Sequence, residues 1–409
     1  MMKHQRYAYS SVNDFLADAG QLSQGLPFSK ETSVLSTPLS VNGKTIRNRL
    51  LAQPIEGFDS NEDGSPSQRA FERYQSLADG GVGTIWMESI SVNDEGKSNN
   101  RQMRLSEENT EQFAQFVTTI HEHENPFIVA QLTHSGRYSK SVACAIENPL
   151  IPKENSYIIN DEALDRLADD YVKTALLAER AGFDAIDIRC CHGYLLNELF
   201  SAYNRSGKYG GSYENRTRLV KDIVRRIREQ SNITVAVRLN VFDGMPYPYG
   251  WGCRPGKELV QDMTEPLRLI GELRALGVSI LNISAGIGAV TPYMIRPYDM
   301  GGPVPNEHPL EGVERLLQSA KEVKTQYPEL LVVASGFTWL RDFAANVAAG
   351  GISDNWFDLA GFGRQWVADP GFANEILCGR KIQKPCATCG GCTALIKKEG
   401  KEMRCVHKF

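Results

Sequence analysis

No stretch of the 409-residue chain approaches about eighteen consecutive apolar residues, so a membrane-spanning helix is excluded. An excess of one charge is missing too. The 45 Lys+Arg stand against 49 Asp+Glu for a formal net charge of -4, without the basic stripe of a nucleic-acid binder. The opening MMKHQRYAYSSVNDFLADAG lacks the apolar core of a secretory signal, and a cytoplasmic location is expected. In that compartment the nine cysteines read as thiols or ligands, not as a disulfide framework. GVGTIW and GFGRQW both lack the last glycine of a dinucleotide-binding turn. Gly43-Lys44-Thr45 and Gly96-Lys97-Ser98 imitate P-loop ends, but Pro38 and Ser91 stand where the first glycine must be. There is no His-Glu-x-x-His and no internal repeat. A Rossmann unit is therefore not expected.

What is present is a beat. After a polar N-terminal extension over residues 1–36, Asn42-Gly43 lies between two alternating runs and signals a hairpin. Strand candidates follow at 50–55, 84–91, 127–132, 185–188, 234–239, 279–284, 330–335 and 358–362. Helical patterns fall between them near 67–79, 108–124, 161–181, 214–229, 257–276, 310–326 and 338–349. Asn160 is a plausible cap for the third. Alternation of this kind implies parallel strands with right-handed crossovers. Helix-to-strand links are tight, whereas strand-to-helix links over 133–160, 189–213, 240–256 and 285–309 are long. Long loops on one side of the beat predict an α/β (β/α)8 TIM barrel over 37–380, with its site at the C-terminal ends of the strands. A Cys-rich tail occupies 381–409.

Chemistry-bearing residues cluster in those long loops. QLTHSGR places Gln131, His134 and Arg137 at the end of the third strand, where an amide could meet a heterocycle's edge or simply be a satisfied core group. Arg189, His192 and Tyr194 follow the fourth strand, with Gly193 permitting a sharp turn. A tyrosine there could act as a general acid. Cys190 and Cys191 read as small residues at a crowded strand end. Arg238 in the fifth strand needs an anion, either a ligand or a barrel carboxylate such as Asp187 or Glu88. Gly336, Gly363 and Arg364 stand after strands seven and eight, the common phosphate position of such barrels.

Taken in order, NRLLAQP, ADGGVG, QLTHSGR, HGYLLNELFSAYNR, YGGSYENR, VRLN and GFGRQWVADP resemble the Old Yellow Enzyme class of NADH:flavin oxidoreductases across residues 36–380. The resemblance implies an FMN-dependent enzyme in which Pro54 and Ile55 back the isoalloxazine and Gln131 holds its pyrimidine edge. It also implies that Arg238 faces N1 and O2, while Gly336, Gly363 and Arg364 hold the phosphate. The activity implied is hydride transfer from reduced flavin to an electron-poor C=C bond, with a proton from Tyr194. Where the family carries a histidine in the loop after strand four, this chain has Arg189, while His192 and Tyr194 match. A cation there suits a carboxylate-bearing substrate, unless Arg189 turns away to Asp187, Glu198 or another loop carboxylate.

Two other activities stay open: oxidative N-demethylation, for which Tyr247, Tyr249 and Trp251 could cage a methylated cation, and dihydrouridine-synthase-like RNA modification. A non-catalytic electron carrier is a third alternative. In the tail, Cys386, Cys389, Cys392 and Cys405 are spaced C-x2-C-x2-C-x12-C. Three thiolates at x2 spacing can wrap one corner of a [4Fe-4S] cubane; zinc and free thiols are the alternatives. That spacing is similar to the family's iron–sulfur branch, the 2,4-dienoyl-CoA reductase and trimethylamine dehydrogenase type, whose further nucleotide-binding domains are not expected here. Electrons would then come from NAD(P)H or an external reductase. A small-molecule substrate and a homo-oligomer are expected, with no nucleic-acid or membrane partner.

Overall fold

In the computed structural model, residues 2–256, 258–396 and 401–407 are described. Eight parallel strands close into a barrel: β1 (Leu50–Ala52), β2 (Thr84–Ser91), β3 (Phe127–Thr133), β4 (Ala185–Cys190), β5 (Thr234–Phe242), β6 (Val278–Ala285), β7 (Leu331–Ala334) and β8 (Leu359–Phe362). β8 pairs with β1 through Ala360↔Leu50, which closes the ring. Each expected strand lies on an observed one. Val, Ile, Leu and Ala dominate the strands, and β2 to β5 are buried along their whole length, as a sheet covered on both faces requires.

The outer layer comprises α1 (Gln68–Asp79), α2 (Thr110–Glu122), α3 (Asp161–Arg180), α4 (Arg218–Gln230), α5 (Thr264–Ala275), α6 (Pro309–Gln326), α7 (Ala344–Ser353) and α8 (Phe372–Leu377). Asn160 caps α3 as expected, its Oδ1 accepting from Ala163 N–H at 2.8 Å. Three boundaries differ from the periodicity. α4 begins at Arg218, after a separate turn over Tyr213–Arg216. α5 begins at Thr264 instead of 257, a residue outside the described set, because a Cys253–Gln261 bridge organises the preceding loop. Before α7, residues 337–343 form 3-10 turns broken at Arg341, whose φ of 47° is non-helical. The six-residue α8 is too short for periodicity to reveal.

The Asn42-Gly43 hairpin forms as expected, with φ of 48° and 79° at its two turn residues and Val41 paired to Lys44. It lies against the N-terminal ends of the strands: Asn42 Nδ2 donates to Thr234 Oγ1 and Ser279 Oγ, at the starts of β5 and β6. The barrel's other end stays available. The N-terminal extension carries a helix over Val12–Ala19, and Phe15 stacks on Phe343 at 4.6 Å between ring centroids. None of the helices among the described residues is long and apolar enough to cross a membrane.

Candidate active site

The loops after β1 to β6 gather buried polar groups over the C-terminal mouth. Arg238 lies at the middle of β5, and its backbone N–H donates to Asp187 Oδ1. Its guanidinium has no carboxylate partner among the described residues, and Nε is buried without an acceptor. Neither expected barrel partner serves it. Asp187 is occupied by Trp86 Nε1 at 2.8 Å and Gln131 Nε2 at 2.7 Å, while Glu88 pairs with Arg73 at 2.6 Å. Burial, with Arg189 adding repulsion, presses the Arg238 pKa below its ordinary value. Burial likewise raises Asp187 to about 6 against the pull of Gln131, Trp86 and Arg238. A buried cation left in this condition is costly unless a ligand supplies the anion.

β4 delivers three further groups. His192 adopts φ of 62° and Gly193 φ of 82°, two consecutive left-handed residues that turn the chain sharply after the strand. A bridge to Ile287 anchors that turn, and Ser284 Oγ lies 2.8 Å from His192 Nε2. Burial, then the Arg238 and Arg189 cations, hold the imidazole neutral, its pKa well below 6.5. Tyr194 retains partial exposure; burial raises its phenol pKa and Arg189 draws it back down. The Arg189 guanidinium lies over the Tyr194 ring at 3.6 Å, and Nη1 meets Glu56 Oε1 at 3.0 Å. Burial pulls the guanidinium down, but Tyr194 and Glu56 outweigh it and hold its pKa above the ordinary value. The carboxylate that answers Arg189 is thus Glu56, not Asp187 or Glu198. Only Nη1 is used in that pair, and Arg189 Nε is buried without an acceptor.

Gln131 reaches the same region: its Nε2 serves Asp187 and its Oε1 is buried with no donor. Pro54 and Ile55 follow β1 and remain partly exposed. His134 and Arg137 are held by partners of their own. His134 accepts from Gly136 N–H at 3.1 Å, and burial lowers its pKa to about 4. Arg137 bonds Glu198 and the carbonyls of Ile146 and Ile151, bracing the loops. Cys190 and Cys191 are buried thiols, with no disulfide. Trp251 is fully buried, 5.0 Å from Phe200, and Tyr247 packs on Tyr203, so the expected aromatic cage does not assemble.

At the ends of β7 and β8, Gly336 adopts φ of 105°, and a side chain at Gly363 would meet open space. Arg364 Nη2 donates to Thr393 Oγ1 at 2.7 Å, and its Nε is buried without an acceptor. Arg296, which the sequence reading missed, is lowered to about 9 by burial and by the Arg364 cation. This corner is short of anions. Its donor set fits a phosphate, and the Gln131 acceptor with the Arg238 cation fits a pyrimidine-like edge, so the residues present fit FMN.

The NADH:flavin oxidoreductase / NADH oxidase family matches residues 34–248. The chain belongs to this family. As expected, it is a family of FMN-dependent oxidoreductases. The NADH oxidase of Thermoanaerobacter brockii is 27% identical over 383 residues, 89% of this chain and 54% of that protein. Among solved structures, a 2-naphthoyl-CoA reductase complex superposes with a TM-score of 0.74 at 18% identity, covering 89% of this chain and 54% of that one. The 6-hydroxypseudooxynicotine amine oxidase of Pseudomonas geniculata N1 superposes at 0.71 and 20% identity, covering 92% and 54%. The chain spans about half the length of each of these relatives (54%).

The tail cysteines converge without assembling. Cys386, Cys389, Cys392 and Cys405 line one small pocket with His407 and Arg364. Among the described residues, no group of three or more His, Cys, Asp or Glu is close enough to hold a metal. Burial raises the Cys386 thiol to about 11, which Arg364 partly offsets. Glu56, Ser284 and Arg296 are the site residues sequence reasoning missed. Only Glu56 carried a signal, a carboxylate directly after Pro54-Ile55 in a mouth loop.

Proposed function

We propose that the chain is an FMN-dependent oxidoreductase of the ene-reductase type, acting on an electron-poor C=C bond of a small molecule. The observation that carries this reading is the uncompensated, buried Arg238 guanidinium at the barrel mouth, beside Gln131, His192 and Tyr194. Gln131, Arg238, Pro54 and Ile55 would hold the ring system; Gly336, Gly363, Arg364 and Arg296 would hold the phosphate. Bound FMN would supply the site's hydride chemistry, with NAD(P)H or an external reductase as the electron source. The chain's own part is polarisation and protonation. His192, kept neutral and fixed by Ser284, serves as a hydrogen-bonding group toward a substrate oxygen. Tyr194 delivers the proton from its Oη, a phenol that Arg189 keeps from rising further.

The test is the absorption spectrum of the purified chain. Flavin absorbance that NAD(P)H bleaches anaerobically and an enone restores supports the reading. Colourless protein that ignores added FMN overturns it.

For the tail, we propose that Cys386, Cys389, Cys392 and Cys405 would hold a [4Fe-4S] cluster, which supplies one-electron transfer when bound. Their shared pocket supports this. Anaerobic preparation should give about four irons and four sulfides per chain. Zinc without iron after reconstitution would make the tail a structural site.

A further inference from the structure

We propose that Glu56 determines the charge of the molecule the mouth accepts, selecting neutral substrates that carry an N–H or O–H donor over carboxylates. This deepens the oxidoreductase reading and rests on it for the place of the mouth. Arg189 taken alone would be a second uncompensated cation beside Arg238, and the pair would favour an anionic substrate. Glu56 changes that balance. Its Oε1 takes the Arg189 Nη1 at 3.0 Å and the Ser89 hydroxyl, and Gln102 Nε2 donates in turn to Ser89 Oγ at 2.9 Å. Both partners of the ion pair are largely buried, with side-chain exposures of 7% for Arg189 and 16% for Glu56.

The unused atoms identify the ligand chemistry. Glu56 Oε2 is buried with no donor, a costly condition for a carboxylate oxygen. Arg189 is neutralised by Glu56 through one terminal nitrogen, with Tyr194 over a face of the guanidinium at 3.6 Å, while its buried Nε still lacks an acceptor such as a carbonyl oxygen. An incoming carboxylate would meet Glu56 as a like charge while finding Arg189 already neutralised. A neutral amide instead has an N–H for Glu56 Oε2 and a carbonyl for His192 and Tyr194. Specificity of this kind comes from repulsion of the wrong ligand as much as from attraction of the right one.

The experiment uses the full chain loaded with FMN and compares benzamide with benzoate, two ligands of matched shape, by titration calorimetry. Wild type should bind benzamide at least tenfold more tightly. Glu56→Gln, which exposes the Arg189 charge, should tighten benzoate by at least tenfold and reverse the order. The double variant Glu56→Gln/Arg189→Gln, which removes both charges together, should lose that gain for benzoate. Wild type that binds benzoate as tightly as benzamide, or that binds neither ligand, overturns the proposal. So does a Glu56→Gln variant with an unchanged ratio. The wild-type comparison stands even if a variant fails to fold. Flavin absorbance of each sample is read separately: a colourless chain counts against the oxidoreductase reading, while the heats still report the charge preference.

Discussion

At the scale of single residues, the mouth sets the Arg189–Glu56 ion pair beside one guanidinium that meets no carboxylate among the described residues. Arg238 is that residue, and Arg238→Ala should weaken flavin binding by at least tenfold, read as flavin lost on gel filtration at matched concentration. If the flavin stays bound as tightly as in wild type, Arg238 does not face the cofactor. The histidines make a second prediction. His134, at about 4, and His192, well below 6.5, are both held neutral by burial. Their folded pKa values lie below the unfolded one, so the unfolded chain binds more protons as pH falls through about 6.5. Stability is therefore present above pH ~6.5 and lost on acidification, on the order of 3 kcal/mol for His134 by pH ~4. Urea midpoints at stepped pH should show the loss, and His134→Gln should reduce its slope. The same argument leaves His192 without an inflection near 6.5 in the turnover profile.

At the scale of elements, the site depends on loops being held together above the rigid strands. Arg137, after β3, and Glu198, in the turn of helix after β4, form a buried pair with side-chain exposures of 3% and 5%. Glu198 also accepts the Ala145 N–H at 2.6 Å, so three loop segments meet there. Removing one partner leaves an uncompensated buried charge, and Arg137→Ala should cost about 3–5 kcal/mol in urea unfolding. Because neither side chain bonds Gln131, Arg238, His192 or Tyr194, flavin should still bind to the fraction that is folded. A cost below about 1 kcal/mol would place this pair with ordinary surface salt bridges.

At the scale of the molecule, the two ends of the chain meet on one carboxylate. Asp299, after β6, accepts the Tyr7 N–H at 2.7 Å and the Thr388 hydroxyl at 2.7 Å. Arg341 adds contacts to Asp299 and to the Ala387 carbonyl, both at 3.4 Å, and its guanidinium lies 4.4 Å from the Tyr7 ring centroid. Thr388 sits between Cys386 and Cys389, so this tie sets where the cysteine loop lies. Asp299→Ala should speed limited proteolysis around residues 384–392, with the barrel's unfolding midpoint falling by far less than in Arg137→Ala. Equal proteolysis of both proteins would show that the loop holds without Asp299.

The barrel itself was legible in the residues, because eight buried strands must read as short apolar runs, and long loops on one side of the beat already marked the mouth. So were Gln131, Arg238, His192 and Tyr194 as candidates, polar groups within or just beyond apolar strands, where a barrel core has no use for them. Glu56, Ser284 and Asp299 were not. Each acts through a partner far away in sequence, as Arg189 does for Glu56 and His192 for Ser284, and no periodicity records which loops will face each other. The role of Arg189 was open between a ligand anchor and an ion pair for the same reason. A charge's partner is set by which side chains closure of the barrel brings within hydrogen-bond reach, and that is a property of the ring of loops, not of any one of them.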